Sequence, residues 1–241
     1  MHVPPQKQLW RVFLAFVGPL IASNFLQSLS GTANSIYIGQ MLGVKAMAAA
    51  SSMFPILFFL IAFIIGLGAG ASVLIGQAWG ARKVDRVRAV VGTTLVAGLI
   101  FGLTVAVLGF VFASNIMQLL GTPADIVADA IAYARVIMIA VPGIFLFLLL
   151  TSMLRGVGDT VSPLLALIIS TALGLLITPA LIRGWGGLPQ MGLTSAAWAS
   201  IIANVVAIAW LAWRLLHRPY VNAVHPMAPN AAMRPHLRID P

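Results

Sequence analysis

The chain has 241 residues, 61% of them apolar and only 8% charged, with a mean hydropathy of +1.03. A soluble domain covers itself with about 25% charged residues, so this composition excludes a soluble globular protein and makes lipid the main solvent. The net charge of +9 sits between apolar runs and not on one folded face, which argues against nucleic acid as a partner. The absence of cysteine excludes disulfides, thiol catalysis and Cys-ligated metal.

Charged residues cut the chain into six uncharged stretches, 12–44, 46–81, 89–124, 136–154, 160–182 and 184–213. A helix needs about 20 apolar residues to cross roughly 30 Å of hydrocarbon, so each stretch holds one span. Lys7 and Arg11 precede the first stretch as they would in a signal peptide, but the uncharged run continues through Val44, far beyond an h-region. It reads as an uncleaved first span near 12–41, ending before Gly43. The second span is predicted near 47–78, ending at Trp79-Gly80, and the third near 88–112. Gly121-Thr122-Pro123 reads as a loop, with Thr122 a candidate N-cap for the fourth span near 124–154, which ends at Gly156-Val157-Gly158. The fifth span is predicted near 161–182. The turn Gly184-Trp185-Gly186-Gly187-Leu188-Pro189 leads to a sixth near 192–216.

These runs are too long for barrel strands. The expected fold is all-α and integral to the membrane, a six-transmembrane-helix bundle over residues 1–216. From His217 onward, Pro219, Pro226, Pro229 and Pro235 break helical periodicity, and 217–241 reads as a cytoplasmic linker or tail. Eleven of the 14 Lys+Arg residues fall on the side that holds both termini, and Lys45, Arg135 and Arg183 fall on the other. Cytoplasmic loops carry the excess of positive charge, so both termini are expected in the cytoplasm and the chain in the plasma (inner) membrane. Arg135 reads as an outer-interface residue with its stem in lipid.

Polar groups inside a membrane need a reason. Asn24, Gln27, Gly31 and Asn34 are spaced i, i+3, i+7 and i+10 in the first span, within about 80° of helical arc. Ser23, Ser28 and Ser35 flank them, and Pro19 removes a backbone bond and favours a kink in the same helix. Such a stripe suits a movable, cavity-lining helix, and equally a seam that bonds helices together. Further candidates for a substrate cavity are Met53, adaptable and polarizable, Thr178 beside Pro179, and Asn204 in the sixth span. Gly66, Gly68 and Gly70, with Ala71 and Ser72, permit close helix packing. No enzyme is expected: paired acidic motifs, H-E-x-x-H, G-x-S-x-G and P-loop patterns are missing, and His2, His217, His225 and His236 lie outside the spans. Neither a cofactor nor a resident metal is expected.

An ordered set of segments resembles the multidrug-and-toxin-extrusion family: Val73-Leu74-Ile75-Gly76-Gln77-Ala78-Trp79-Gly80-Ala81-Arg82, Leu120-Gly121-Thr122-Pro123, Leu154-Arg155-Gly156-Val157-Gly158-Asp159-Thr160, and Gly184 to Pro189. Their order and spacing match the family's first six helices across 9–216. The resemblance implies one half of a twelve-helix transporter, with a C-terminal six-helix bundle, or a second copy of this one, as the partner around a central cavity. It implies multidrug efflux by alternating access, antiporting a small organic cation or amphipathic drug against H⁺ or Na⁺. A lipid or polysaccharide flippase of the same superfamily is the alternative, as is a non-transporting truncated membrane protein. The family often carries Asp within a V-D-T-like triplet in span one and an N-x-x-x-D-P run in span five. Here those places read Ala33-Asn34-Ser35 and Gly174-Leu175-Leu176-Ile177-Thr178-Pro179. An amide or hydroxyl cannot titrate as a buried carboxylate can, so the coupling-ion site is expected outside this chain.

Overall fold

A computed structural model describes residues 6–184 and 192–217. Eight helices follow one another: α1 (Gln6–Leu42), α2 (Val44–Ser51), α3 (Phe54–Gly80), α4 (Val84–Val111), α5 (Ala113–Leu119), α6 (Val127–Gly156), α7 (Val161–Arg183) and α8 (Thr194–His217). Six contain stretches long and apolar enough to cross a membrane: Phe13–Leu42, Phe54–Gly80, Val84–Val111, Val127–Gly156, Val161–Arg183 and Thr194–Leu215. The described residues contain no strand. The chain is an all-helical membrane bundle of six spans.

The second span departs from its expected start near 47. Residues 44–51 form the separate helix α2, and the spanning helix begins only at Phe54. Pro55 explains the break, because proline fits the first turn of a helix but not its interior. The fourth span starts at Val127, three residues later than expected, and Thr122 does not cap it. The α6 N-cap is Ile126 without a side-chain bond, while the Thr122 hydroxyl lies 3.9 Å from Met117 Sδ. The expected tail lies outside the described residues, apart from His217, which closes α8. Most of the Gly184–Pro189 turn lies outside them as well; Gly184 itself caps α7 in the left-handed region, at φ 69°.

Helix α6 is the hub. One side of it, with Met138, Val141, Phe145 and Leu149, packs against Ile64 and Ile75 of α3 and the inner face of α4. Its other side places Phe147 and Leu154 against Ala166 of α7 and Ala207 and Leu211 of α8. Lipid tails are as apolar as leucine, so helices associate here through close packing. Small residues on α4 permit it: a Cβ at Gly98 would stand 2.2 Å from Leu149 Cδ1, and one at Gly109 would stand 2.3 Å from Met138 Sδ. Of the three α3 glycines expected to permit close packing, only Gly68 does, against Ser152. Gly66 and Gly70 face open space. The α1 helix, by contrast, packs mainly on α7 and α2. Arg135 is exposed on α6, its guanidinium 5.6 Å from the centre of the Phe110 ring of α4, a cation–π contact.

Candidate substrate cavity

Five helices line a partly open cavity of about 730 Å³. The α1 wall is the polar stripe: Asn24, Gln27 and Asn34 line it, joined by Ser23, Ser30, Gly31 and Tyr37. Ser23 donates to the Pro19 carbonyl at 2.7 Å, so the proline sits one turn before the stripe and shares a side-chain bond with it. Ser28 and Ser35 are exposed and do not line the cavity; Ser35 donates back to Gly31 O.

The α7 wall faces α1 with Ser170, Thr171, Gly174 and Thr178, a second stripe at i, i+1, i+4 and i+8. Thr171 and Thr178 are buried. From α8 come Ser200 and Asn204, and from α3 come Phe54, Ile61 and Ile65. The α6 wall is graded along its length. Ile144, Phe147 and Leu148 are apolar, then Thr151, Ser152 and Arg155 are polar.

Five of the six cavity candidates named from the sequence thus meet around one space: Asn24, Gln27, Asn34, Thr178 and Asn204. Met53 does not. It is 1% exposed and belongs to the core beneath α2, because the α2–α3 break turns its side chain inward; its neighbour Phe54 lines the cavity instead. Of the α7 stripe, sequence reasoning named Thr178 and missed Ser170 and Thr171. It also missed Arg155, read as a loop cation but placed in the last turn of α6.

The motif around Arg155 acquires a physical content. Gly156 lets α6 approach α3 closely, since a Cβ there would stand 2.7 Å from the Ser72 carbonyl oxygen. Gly158 turns the chain at φ 88°, a region that favours glycine. The Asp159 carboxylate then accepts from Val161 N at 3.1 Å, Ser162 N at 2.9 Å and the Ser162 hydroxyl, holding the start of α7. Among the described residues, no cluster of three or more His, Asp or Glu could hold a metal ion.

Comparison with known proteins fits this architecture. The chain is 39% identical over 232 residues to the probable multidrug resistance protein YoeA of Bacillus subtilis, an alignment covering 96% of this chain and 49% of that one. It is 28% identical over 187 residues to a protein named FAD transporter from Shewanella oneidensis, covering 76% of this chain and 40% of that one. A crystal structure of MATE in complex with MaD3S superposes with a TM-score of 0.78 at 27% identity, covering 86% of this chain and 45% of that chain. The chain spans about half the length of the curated relatives it matches. The MatE family model matches residues 19–180, from the proline of α1 into the last turn of α7. With that match over most of the bundle, and motifs and fold in agreement, the chain belongs to the MatE family, the multidrug-and-toxin-extrusion transporters.

Proposed function

We propose that this bundle forms one half of a multidrug efflux transporter and contributes one wall of its substrate pathway. The observation that carries the reading is the cavity itself. Rare intramembrane polar groups, Gln27 and Asn34 on α1 and Thr178 on α7, meet around one space of about 730 Å³ instead of bonding helix to helix. Ligand sites of roughly 300–1,000 Å³ combine apolar walls with a few polar groups, and the Phe54, Ile61 and Ile65 wall of α3 supplies the apolar part. The relatives' names, of multidrug resistance and of FAD transport, support movement of organic molecules across a bilayer.

In this reading the partner is a C-terminal six-helix bundle or a second copy of this one, both termini are cytoplasmic, and the two bundles alternate access. The cargo is amphipathic. A cationic cargo would draw its counter-charge from outside this bundle, because no carboxylate lines the cavity among the described residues. In the same reading the H⁺ or Na⁺ coupling site belongs to the partner bundle, in keeping with the neutral Asn34 and Thr178 on this cavity's wall.

The test is Gln27→Ala in the complete transporter. Efflux of an amphipathic dye is expected to fall by roughly 2- to 10-fold, the equivalent of one lost hydrogen bond, at unchanged abundance. Efflux and abundance falling together would make Gln27 a helix-joining residue, and unchanged efflux at unchanged abundance would remove it from the pathway.

A further inference from the structure

Arg155 is the one charged side chain among the described residues that line the cavity. It is half-buried, and its Nε is enclosed by protein without a hydrogen-bond partner. An arginine is always charged and presents five donors in a rigid fork. Enclosing one without a counter-charge is unfavourable unless something else supplies it. The nearest carboxylate in sequence, Asp159, is turned to the start of α7, where it accepts from two backbone N–H groups and the Ser162 hydroxyl. No ion pair joins Arg155 to any described residue.

Two hydroxyls stand about one turn before Arg155 on the cavity wall of α6. Thr151 already donates to Leu148 O at 2.9 Å, whereas the Ser152 hydroxyl makes no hydrogen bond to a described residue. Above them the α6 wall becomes apolar, at Leu148, Phe147 and Ile144. The polarity therefore runs from a cation, through hydroxyls, to a hydrocarbon surface within three turns of one helix, about 16 Å at 1.5 Å per residue.

We propose that Arg155 receives the oxyanion head, a carboxylate or phosphate, of an amphipathic molecule whose apolar body lies along α6 and α3. Planar arginine matches such groups with paired hydrogen bonds, and Ser152 adds a donor. This rests on the reading of the cavity as a substrate site and narrows the cargo from amphipathic to anion-headed.

The experiment measures binding of three fluorescent probes, matched in apolar body, to the complete transporter in uncharged detergent. The heads are carboxylate, trimethylammonium and neutral hydroxyl. The carboxylate probe is expected to bind about 10-fold more tightly than the other two, the scale of one good charge-assisted hydrogen bond. Arg155→Gln is expected to remove that preference and leave the neutral probe unchanged, and Arg155→Lys to retain part of it. Retained binding of the neutral probe shows that each variant is folded.

Equal affinities in the unaltered protein overturn the anion site while leaving the cavity reading intact, and mean that a carboxylate outside this bundle already satisfies Arg155. A preference that survives Arg155→Gln overturns it as well. Absence of binding by all three probes overturns the cavity reading and with it this one. Displacement of the carboxylate probe by dihexanoyl phosphatidylglycerol identifies a lipid head as the source of the oxyanion. Displacement by a soluble aryl carboxylate, but not by the lipid, identifies a drug-like molecule. Either displacement supports the site.

Discussion

Helices α6 and α1 are both thirty residues or longer and both line the cavity, yet they are held in opposite ways. Half of the most apolar window of α6 is buried inside the bundle, against 6% for α1. The α6 side chains lock into spaces left by glycines on α4 and α3, whereas Gly18, Gly31 and Gly39 of α1 have nothing within 4 Å of an added Cβ. Yet α1 supplies the richest polar wall of the cavity. One helix therefore holds the bundle together, and the other lines the cavity with polar groups while free of tight contacts. A proline within α1, one turn before its polar stripe, suits an element that changes shape.

The sharpest way to break this contrast is a pair of truncations. Leu149 is fully buried on α6, against Gly98 and Gly68. In water-soluble cores Leu→Ala costs about 2–5 kcal/mol. In a membrane the solvent-transfer part is small, so Leu149→Ala is expected to cost about 2 kcal/mol, read as a lower unfolding midpoint in detergent. Phe25 on α1 is 70% exposed, and Phe25→Ala is expected to shift stability by less than about 0.5 kcal/mol. Similar losses from the two would mean that α1 is held as firmly as α6.

Adding a single methyl group makes the same comparison more finely. Gly156→Ala drives a Cβ to 2.7 Å from a backbone oxygen of α3, which cannot rotate away as a side chain could. Overpacking of this kind costs about 1–3 kcal/mol. The matched change Gly31→Ala meets open space, and the better helix propensity of alanine makes it neutral to slightly stabilising, by up to about 1 kcal/mol. Thermal unfolding of the two variants checks the sign of each.

The same contrast governs what could be read from the sequence. The six spans were legible because charge cannot enter hydrocarbon cheaply, so uncharged length alone marks them. The α2–α3 break did not show in charge or hydropathy, since 46–81 is uncharged throughout, and Pro55 is the sequence mark of the discontinuity at Ser52-Met53. The α1 stripe was legible because amides are rare in lipid. Ser170 and Thr171 were harder to see, because their hydroxyls can also bond within their own helix and so need no external partner. Met53 misled because a methionine reads the same in a core as in a cavity. Arg155 was counted among the cytoplasmic cations because it follows the uncharged stretch 136–154; the packing of α6 with α3 and α8 leaves its side chain at the cavity.

The smallest effect concerns the joint between the two regimes. The α1 helix rests largely on α7, and α7 is fixed to α6 through the Gly156–Ser162 corner. Asp159 accepts two backbone N–H bonds there and so satisfies donors that a helix start leaves unpaired. Losing such a cap costs about 1 kcal/mol, so Asp159→Ala is expected to lower the unfolding midpoint less than Gly156→Ala does. Asn caps nearly as well as Asp, which makes Asp159→Asn the discriminating variant. If Asn restores most of the stability, the corner works through its hydrogen bonds and the cavity's charge balance rests on Arg155 alone. If Asn is as damaging as Ala, the negative charge itself matters at this end of the bundle. Asp159 would then have to be counted with Arg155 in setting the field that a substrate meets.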